Sequence, residues 1–574
     1  MSVTGAFSIG TNHLGAFDRG DYTFREVVTK IIGRHEMRFG GEALRVLNHI
    51  TNTFQMDSSY TFSGELSGDG LADFMFGRAS TFSQGGGEFK DLKGTKYTLF
   101  LQDNWRVTSD LTLNLGLRWD PYSAPYDREG RVVCFQPGAK SVRYPKAPIG
   151  LIYGGDSHDA GCPVSGMDSS WWNFAPRFGF AYRLTQDGKT SLRGGVGLYY
   201  TPIETTDFNA FSNIAPFAPT FRFNDVAFED PYGSAGIGNP FPAQYGPTVR
   251  GPDVDFTLPA AVRWTFAKDF RIPQIISWNL ILERQIGRDW VVKAAYQASK
   301  GTYLSQAIVR EINPAIYIPG QSTVANTQAR RVYADFVNIG RIESGNNSEY
   351  NALQLTAEKR FSHGLSILAN YTWSKALDDL GWTNPVSRTF DRGVSGTDLP
   401  HNFKFSNVWE IPKLGIRGPA GKLLNGWALN SMVVWQSGFA MTISSGRDNS
   451  FTGVGRDRAD FLGGTAGLSS DRSHGDMVAG FFDTSKFTAN AVGTFGTSGR
   501  NNLRGARFFN TDLGVVKNTT VTERFSVQFR AEFFNVFNNV NFRQPTTNAA
   551  SAQFGRITAA NDPRILQFAL KTIF

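Results

Sequence analysis

Residues 96–122 read KYTLFLQDNWRVTSDLTLNLGLRWDPY. In the second half Leu111, Leu113, Leu115, Leu117 and Trp119 alternate with Thr112, Asn114, Gly116, Arg118 and Asp120. That period of two gives one apolar face and one polar face. The first half alternates less cleanly, with Tyr97, Leu99, Leu101, Trp105 and Val107 against Thr98, Gln102, Asn104 and Arg106. Thr108, Ser109 and Asp110 supply a tight turn, so the stretch predicts a β-hairpin. Each arm is about twelve residues, longer than a typical soluble strand and close to what a tilted membrane-crossing strand needs. Aromatics end the apolar face, which suits the interfaces of a bilayer. A hairpin of a soluble β-sandwich alternates in the same way, so recurrence has to decide between the two.

The pattern recurs along the chain. Strand pairs are expected at Asp21–Gly33 with His35–Ile50, Asn173–Leu184 with Thr190–Thr201, and Gln274–Ile286 with Trp290–Lys300. Further pairs are expected at Glu349–Phe361 with Leu365–Ala376, His401–Ile411 with Asn425–Gly438, and Arg507–Thr519 with Glu523–Asn538. Arg564–Phe574 closes the chain, and an additional strand is expected at Val3–Gly10. Short turns within the pairs alternate with long polar connections between them, the arrangement of an outer-membrane barrel with brief periplasmic turns and long outer loops. Connections of forty to seventy residues are also far beyond the roughly 12–15 that an ordinary compact domain tolerates.

The strand faces agree. Asn351, Leu353, Leu355, Ala357 and Phe361 alternate with Tyr350, Gln354, Thr356, Glu358 and Arg360. Phe525, Val527, Phe529, Ala531, Phe533 and Phe537 alternate with Arg524, Ser526, Gln528, Arg530, Glu532 and Asn538. Lipid cannot hydrogen-bond charges, so Arg118, Glu358, Arg360, Arg530 and Glu532 are expected to face the lumen. The expected fold is all-β, an antiparallel transmembrane barrel of about 15–16 strands with long extracellular loops. Composition allows this: 574 residues carry 61 Gly, 48 Phe and 14% aromatics, and no run of about eighteen apolar residues predicts a membrane helix. The net charge of +8 is dispersed without a basic block, which argues against nucleic acid as a partner. Residues 1–20 lack the basic start, apolar core and small-residue site of a signal peptide.

GRHEMRFGGE (33–42), GLADFMFGR (70–78), LFLQDNWRVTSDLTLNLGLRWD (99–120) and NFAPRFGFAY (173–182) resemble the barrel of TonB-dependent receptors, in particular the Oar-like subgroup. SWNLILERQIGRDWVVKAAYQASKGTYL (277–304), YNALQLTAEKRFSHGLSILANYTWSKALDD (350–379) and NGWALNSMVVWQSGFAMTI (425–443) continue the likeness. GTFGTSGRNNLRG (493–505), QFRAEFFNVFNNVNF (528–542) and PRILQFALKTIF (563–574) complete it. The resemblance implies a barrel of about twenty-two strands with an internal plug. It also implies uptake driven by the TonB energy-coupling complex, and outer-membrane lipid and the barrel-assembly machinery as partners. The chain then reads as a single domain over residues 1–574, the C-terminal part of such a barrel. The plug and the N-terminal regulatory-like domain are absent, and such a fragment is expected to be inactive alone.

Catalytic chemistry is sparse, and neither an enzyme nor a cofactor is expected. The His residues are scattered without metal-ligand spacing. Gly233–Gly238 faintly echoes a phosphate loop but lacks the flanking strand and helix, so it reads as turn chemistry. Adjacent Ser157, His158 and Asp159 cannot fold onto one another as a triad. The run Arg456-Asp457-Arg458-Ala459-Asp460 offers carboxylates to a cation, although its own arginines favour a salt-bridged loop.

Two function classes follow: a receptor-transporter for a bulky nutrient of unknown identity, or a structural or adhesive barrel whose loops bind partners. The loop aromatics Trp171, Trp172, Phe208, Phe211, Phe217, Phe221, Tyr232, Phe241 and Tyr245 could stack on a ligand or simply pack the loops together. Of these, Trp171, Trp172, Phe208 and Tyr232 are the ligand-binding candidates. Cys134 and Cys162, the only two cysteines, share one outer loop; an oxidising compartment favours a disulfide, and the alternative is two thiols too far apart to bridge. The last strand alternates Leu566, Phe568, Leu570 and Phe574 against Gln567, Ala569 and Lys571. By resemblance to other barrels, Phe574 and Phe568 are expected to form an assembly signal.

Overall fold

A computed structural model describes residues 1–10, 14–53, 55–156, 161–203, 208, 211–239, 241, 251–305 and 310–574. Its frame is one antiparallel wall. The strands are β1 (Gly15–Ile32), β2 (His35–Asn52), β3 (Glu88–Arg106), β4 (Leu111–Trp119), β5 (Phe174–Arg183), β6 (Thr190–Tyr200), β7 (Gln274–Ile286) and β8 (Trp290–Leu304). They continue as β9 (Asn346–Ser362), β10 (Leu365–Asp378), β11 (His401–Glu410), β12 (Trp427–Gln436), β13 (Phe508–Thr522), β14 (Phe525–Phe534) and β15 (Ile565–Ile573). With the two-residue segments Tyr126–Asp127 and Gly393–Val394 they form a sheet of 17 strands. Each wall strand pairs with its neighbour in chain order, the up-and-down path of a barrel.

Register confirms one apolar outer face. Leu115 lies opposite Phe178, which lies opposite Val196, which lies opposite Trp278. One residue on, Asn114, Gly179, Gly195, Asn279 and Gln297 run across the same strands on the inner face. Where a two-residue turn must match the right-handed twist of its strands, both central residues need positive φ. His363 (φ 51°) and Gly364 (φ 75°) supply this between Ser362 and Leu365. The turns β1–β2, β3–β4, β5–β6, β7–β8, β9–β10 and β13–β14 are all short, while every connection at the other end is long. Only β11–β12 breaks the rule at the short end, with a helix at Gly418–Leu424.

Three expectations change. Val3–Gly10 is not a wall strand: Ser2–Val3 and Phe7–Ser8 join Ser59–Phe62, Arg78–Gly85 and Thr220–Ala227 in a separate five-stranded sheet above the wall. Its eight residues, two of them glycine, fall short of the roughly 9–11 that a tilted membrane strand needs, and Val3 buries itself against Phe62 and Phe82 instead. The first strands are also longer than the sequence suggests, with 18, 18 and 19 residues in β1, β2 and β3. At about 3.3 Å per residue they stand well clear of a hydrocarbon layer roughly 30 Å thick. Third, the apolar face of β3 is interrupted by Asp103, whose carboxylate meets His35 Nδ1 at 2.7 Å, with the His35 ring stacked on Trp105. Among the described residues β1 and β15 each pair on one side only, so the wall has two free edges.

Candidate functional site

The long connections do not hang free; they build a cap with its own hydrophobic core. Connections 120–173, 201–273 and 305–345 together bury Tyr144, Tyr153, Phe208, Phe211, Phe217, Val262 and Phe336. Tyr153 Oη donates to the Ala215 carbonyl at 2.7 Å and Tyr122 Oη to that of Ile203 at 3.2 Å, tying the first connection to the second. A second core gathers Val3, Phe62, Phe82, Phe221 and Tyr232; a third gathers Met441, Ile443, Phe482 and Phe487.

This packing decides the fate of the loop aromatics. Phe208 and Tyr232 are 1% and 3% exposed, and Phe211, Phe217 and Phe221 are buried with them, so these rings hold connections together and present no face to a ligand. The correction is physical: a long irregular loop stays ordered only by burying apolar side chains of its own. Trp171 and Trp172 are exposed, but they sit at the rim of the wall. Trp119 Nε1 donates to the Trp171 carbonyl at 2.7 Å, and Trp172 lies 6.3 Å from Phe174, itself stacked on Trp119. Trp119, Phe174 and Trp172 are linked ring to ring, an aromatic patch at the end of the wall of the kind that suits the head-group level. Tyr245 and Ser157-His158-Asp159 lie outside the described residues.

Cys134 and Cys162 are bonded, with Cα atoms 5.6 Å apart. The bond staples the hairpin Val133–Phe135/Leu151–Tyr153 to the segment after it. There the Asp156 carboxylate accepts from Ser141 Oγ (2.6 Å) and from the backbone N–H of Arg143 (2.7 Å), Tyr153 (2.8 Å) and Val142 (2.9 Å).

Charges clamp the remaining connections. Arg500 meets Asp378 at 2.5 Å, Arg504 pairs with Asp398, and Arg458 lies 3.9 Å from Asp391 with its guanidinium 4.0 Å over the Phe390 ring. Connection 437–507 is thereby fastened to connection 379–400, and the GTFGTSGRNNLRG stretch is a brace. Within Arg456–Asp460 both carboxylates accept from N–H donors, Asp460 through both oxygens and Asp457 through Oδ2, while the buried Asp457 Oδ1 has no hydrogen-bond partner. Asp457 accepts from Ser450 (2.7 Å) and Asn490 (3.0 Å), and Asp460 from Ala491 (2.8 Å) and Thr497 (2.9 Å). Burial pushes the Asp457 carboxyl up. Burial likewise raises Glu311, which accepts from the N–H groups of Asn313 and Ile339 near Arg331 and Arg456. Gly233–Gly238 is turn chemistry: Asp230 caps a four-residue helix by accepting from Gly233 N–H at 2.8 Å. Among the described residues, no group of three or more His, Cys, Asp or Glu is placed to hold a metal ion.

Below the cap the inner wall is polar and cross-linked. Arg118 donates through Nε to Asp120 at 2.6 Å and through Nη2 to Thr98 at 3.1 Å. Glu283 lies 3.5 Å from Lys293 and 4.0 Å from Arg193; Arg530 Nε donates to Gln528 at 2.6 Å. Register puts Glu358 on the face away from Leu355 and Ala357, and Glu532 on the face away from Ala531 and Phe533, whereas Arg360 falls in the irregularity between Lys359 and Ser362 and has no register partner. Where β3 rises above the bilayer, Lys90 is buried beside Glu88, its side chain 1% exposed. Burial, opposed by Glu88, lowers its pKa to about 8. The sequence gives no warning of this lysine, because the strand extension that buries it has no membrane-like alternation. At the opposite end Phe568 stacks on Phe529 and Phe574 sits beside Phe525, both on the outer face. The arrangement is a cap with its own cores beside a wall that carries one polar, cross-linked face.

A family model described as an outer membrane beta barrel domain matches residues 1–567. A comparison with curated proteins finds no match. Among solved structures, the outer membrane transporter YddB from Escherichia coli is similar at 10% identity and a TM-score of 0.48, over 97% of this chain and 55% of that one. The ferric yersiniabactin uptake receptor FyuA from Yersinia pestis is similar at 10% identity and a TM-score of 0.45, over 98% and 55%. A ferric enterobactin receptor (PfeA) mutant from Pseudomonas aeruginosa, in complex with enterobactin, gives 13% and 0.48, over 97% and 54%. The chain spans about half the length of these structures.

Proposed function

The chain belongs to the outer membrane beta-barrel domain family, and from that premise we propose that it is the barrel portion of a TonB-dependent receptor of the Oar-like kind. Its place is the bacterial outer membrane. The proposed activity is uptake of a bulky nutrient, captured at the cap and passed along the polar inner wall with energy from the TonB complex; no catalytic step is part of it. The observation that carries this reading is the layering of one molecule. A cap with its own cores stands beside a wall one face of which is apolar and the other hydrogen-bonded and charged. A purely adhesive barrel needs the cap but has no use for a passage lined by Arg118, Glu283, Lys293 and Glu358.

Residues 1–574 act here as a single barrel domain that does not transport by itself. The free edges of β1 and β15 support this, because an unpaired edge in lipid leaves backbone groups unsatisfied. Reconstituted in a planar bilayer, the chain is expected either to fail to insert or to conduct ions continuously. Cells carrying this chain as their only receptor are expected to show no energised uptake. Nutrient accumulation by those cells, lost when the proton gradient is collapsed, would refute that half of the proposal. If the chain is instead adhesive, replacing Glu283 and Lys293 together by Ala would leave bilayer conductance unchanged.

A further inference from the structure

A cleft of about 1400 Å³ lies where β11, β12 and β13 reach the extracellular rim. Its floor includes Trp435 and Phe509, Cα partners on the same face as Val433, Leu513 and Val515, which is the face that meets lipid. Its roof is an overhang of connection 437–507, including Leu468 and Met477, and Phe542 from connection 535–564 closes one end. The overhang is fixed: His474 packs edge-on against Phe542 at 5.5 Å, and Ile557 N–H donates to the Val478 carbonyl at 3.1 Å. At the cleft stands Arg507, exposed, two residues above Phe509, with no ion pair or side-chain hydrogen bond among the described residues. The two other arginines of the lining are occupied, Arg504 by Asp398 and Arg472 by the carbonyls of Ser469, Gly480 and Phe481.

We propose that this cleft is a binding site for an anionic, acyl-bearing lipid of the outer leaflet, with its chains against Trp435, Phe509 and Leu468 and its phosphate at Arg507. Location argues for that occupant. The floor continues the lipid face of the wall, so hydrocarbon of the outer leaflet is what abuts it, and Arg507 lies beyond Phe509 toward the extracellular end of that face. Size argues the same way, since the volume exceeds the roughly 300–1,000 Å³ of drug-sized ligand pockets. Charge completes the match, because an unpaired guanidinium suits the bidentate geometry of a phosphate.

The test uses the full chain purified from outer membranes in detergent, stripped of lipid, and titrated with phosphatidylglycerol, phosphatidylcholine or inorganic phosphate while bound lipid is counted by native mass spectrometry. One phosphatidylglycerol is expected to bind in preference to phosphatidylcholine, and inorganic phosphate alone is expected not to displace it. Arg507→Glu should weaken phosphatidylglycerol roughly tenfold, and Arg507→Lys should restore most of the loss. If Arg507→Glu misassembles, Arg507→Gln reads the same loss without charge reversal. Leu468→Asp, at an exposed position, should weaken binding through the chains. Unchanged affinity in either the Arg507 or the Leu468 variant overturns the proposal. Equal binding of the two lipids does so as well, and displacement by inorganic phosphate would reduce the site to an anion contact.

Discussion

An arginine placed on the lipid face should reveal which strands lie at mid-membrane and which already carry a compensating charge. Leu280 is the middle residue of β7, 47% exposed, with Gly194 and Tyr296 as its cross-strand partners. No anion is among those partners, so Leu280→Arg should cost about 2–4 kcal/mol, the range for a guanidinium at the bilayer midplane. Asn279→Arg, one residue away on the lumen face, should cost at most about 1 kcal/mol, since it points at Gly195 and Gln297 in a polar row. Leu115→Arg looks equivalent to Leu280→Arg in sequence but is not, because its partner on β3 is Asp103. A directly opposite charge pair contributes about 0.2–1 kcal/mol on a solvated sheet, and more where the dielectric is low. Leu115→Arg should therefore be about 1 kcal/mol cheaper than Leu280→Arg, and the discount should vanish in an Asp103→Asn background. Urea titration of the chain refolded into lipid vesicles, followed by tryptophan fluorescence, measures the unsubstituted chain and the five variants, Asp103→Asn alone among them. Equal costs for Leu280→Arg and Asn279→Arg would mean that the faces are reversed. A discount that survives Asp103→Asn would mean that the carboxylate is not its source.

Three further outcomes can be checked. Lys90 titrates near 8 when folded against 10.5 for an exposed lysine, so between those values the folded state binds fewer protons. Stability should then rise with pH through that window by up to about 3 kcal/mol, with the cost of the buried ammonium fully present below pH 8; urea midpoints at pH 7.5 and 9.5 should differ, and Lys90→Met should remove that difference. Reducing the Cys134–Cys162 bond, which spans 28 residues, should destabilise the cap by about 3–4 kcal/mol without altering the wall, readable as faster proteolysis between residues 120 and 173. Deleting Phe574, 92% exposed at the end of the outer face, should lower the yield of chain in the outer membrane, and an unchanged yield would leave it an ordinary interfacial ring.

The wall was legible because lipid imposes one rule on every strand. Leu353 and Leu355 must alternate with Gln354 and Thr356 whatever their neighbours are, so period two survives in the sequence and strand boundaries err by only a few residues. Where that rule lapses, legibility lapses too. The stretches of β1 to β3 above the bilayer have no apolar side to declare, and the sequence shows nothing there of Lys90 buried beside Glu88. Cap residues such as Tyr153 and Phe336 find each other across nearly two hundred positions, and nothing local separates a ring that packs from one that waits for a ligand. Phe208 and Trp172 read alike in sequence, yet one is in a core and the other in the aromatic patch at the end of the wall. The Arg500 and Arg504 brace was visible only as a polar glycine-rich stretch, because an ion pair with Asp378 or Asp398 leaves no periodic trace.

The separate cores of the cap bear on how such a surface can change. Val142, Ile149, Val324 and Val386 lie in the long connections, each more than half exposed, while the cores of the cap are built from other residues. Substitutions at those positions should fall within about 0.5 kcal/mol of neutral, so the outline presented to the environment can be rewritten one residue at a time. A phage or an antibody that recognises those positions would then be evaded by variants that keep the same scaffold, whereas a substitution in the largely buried Arg500–Asp378 brace would loosen the cap itself.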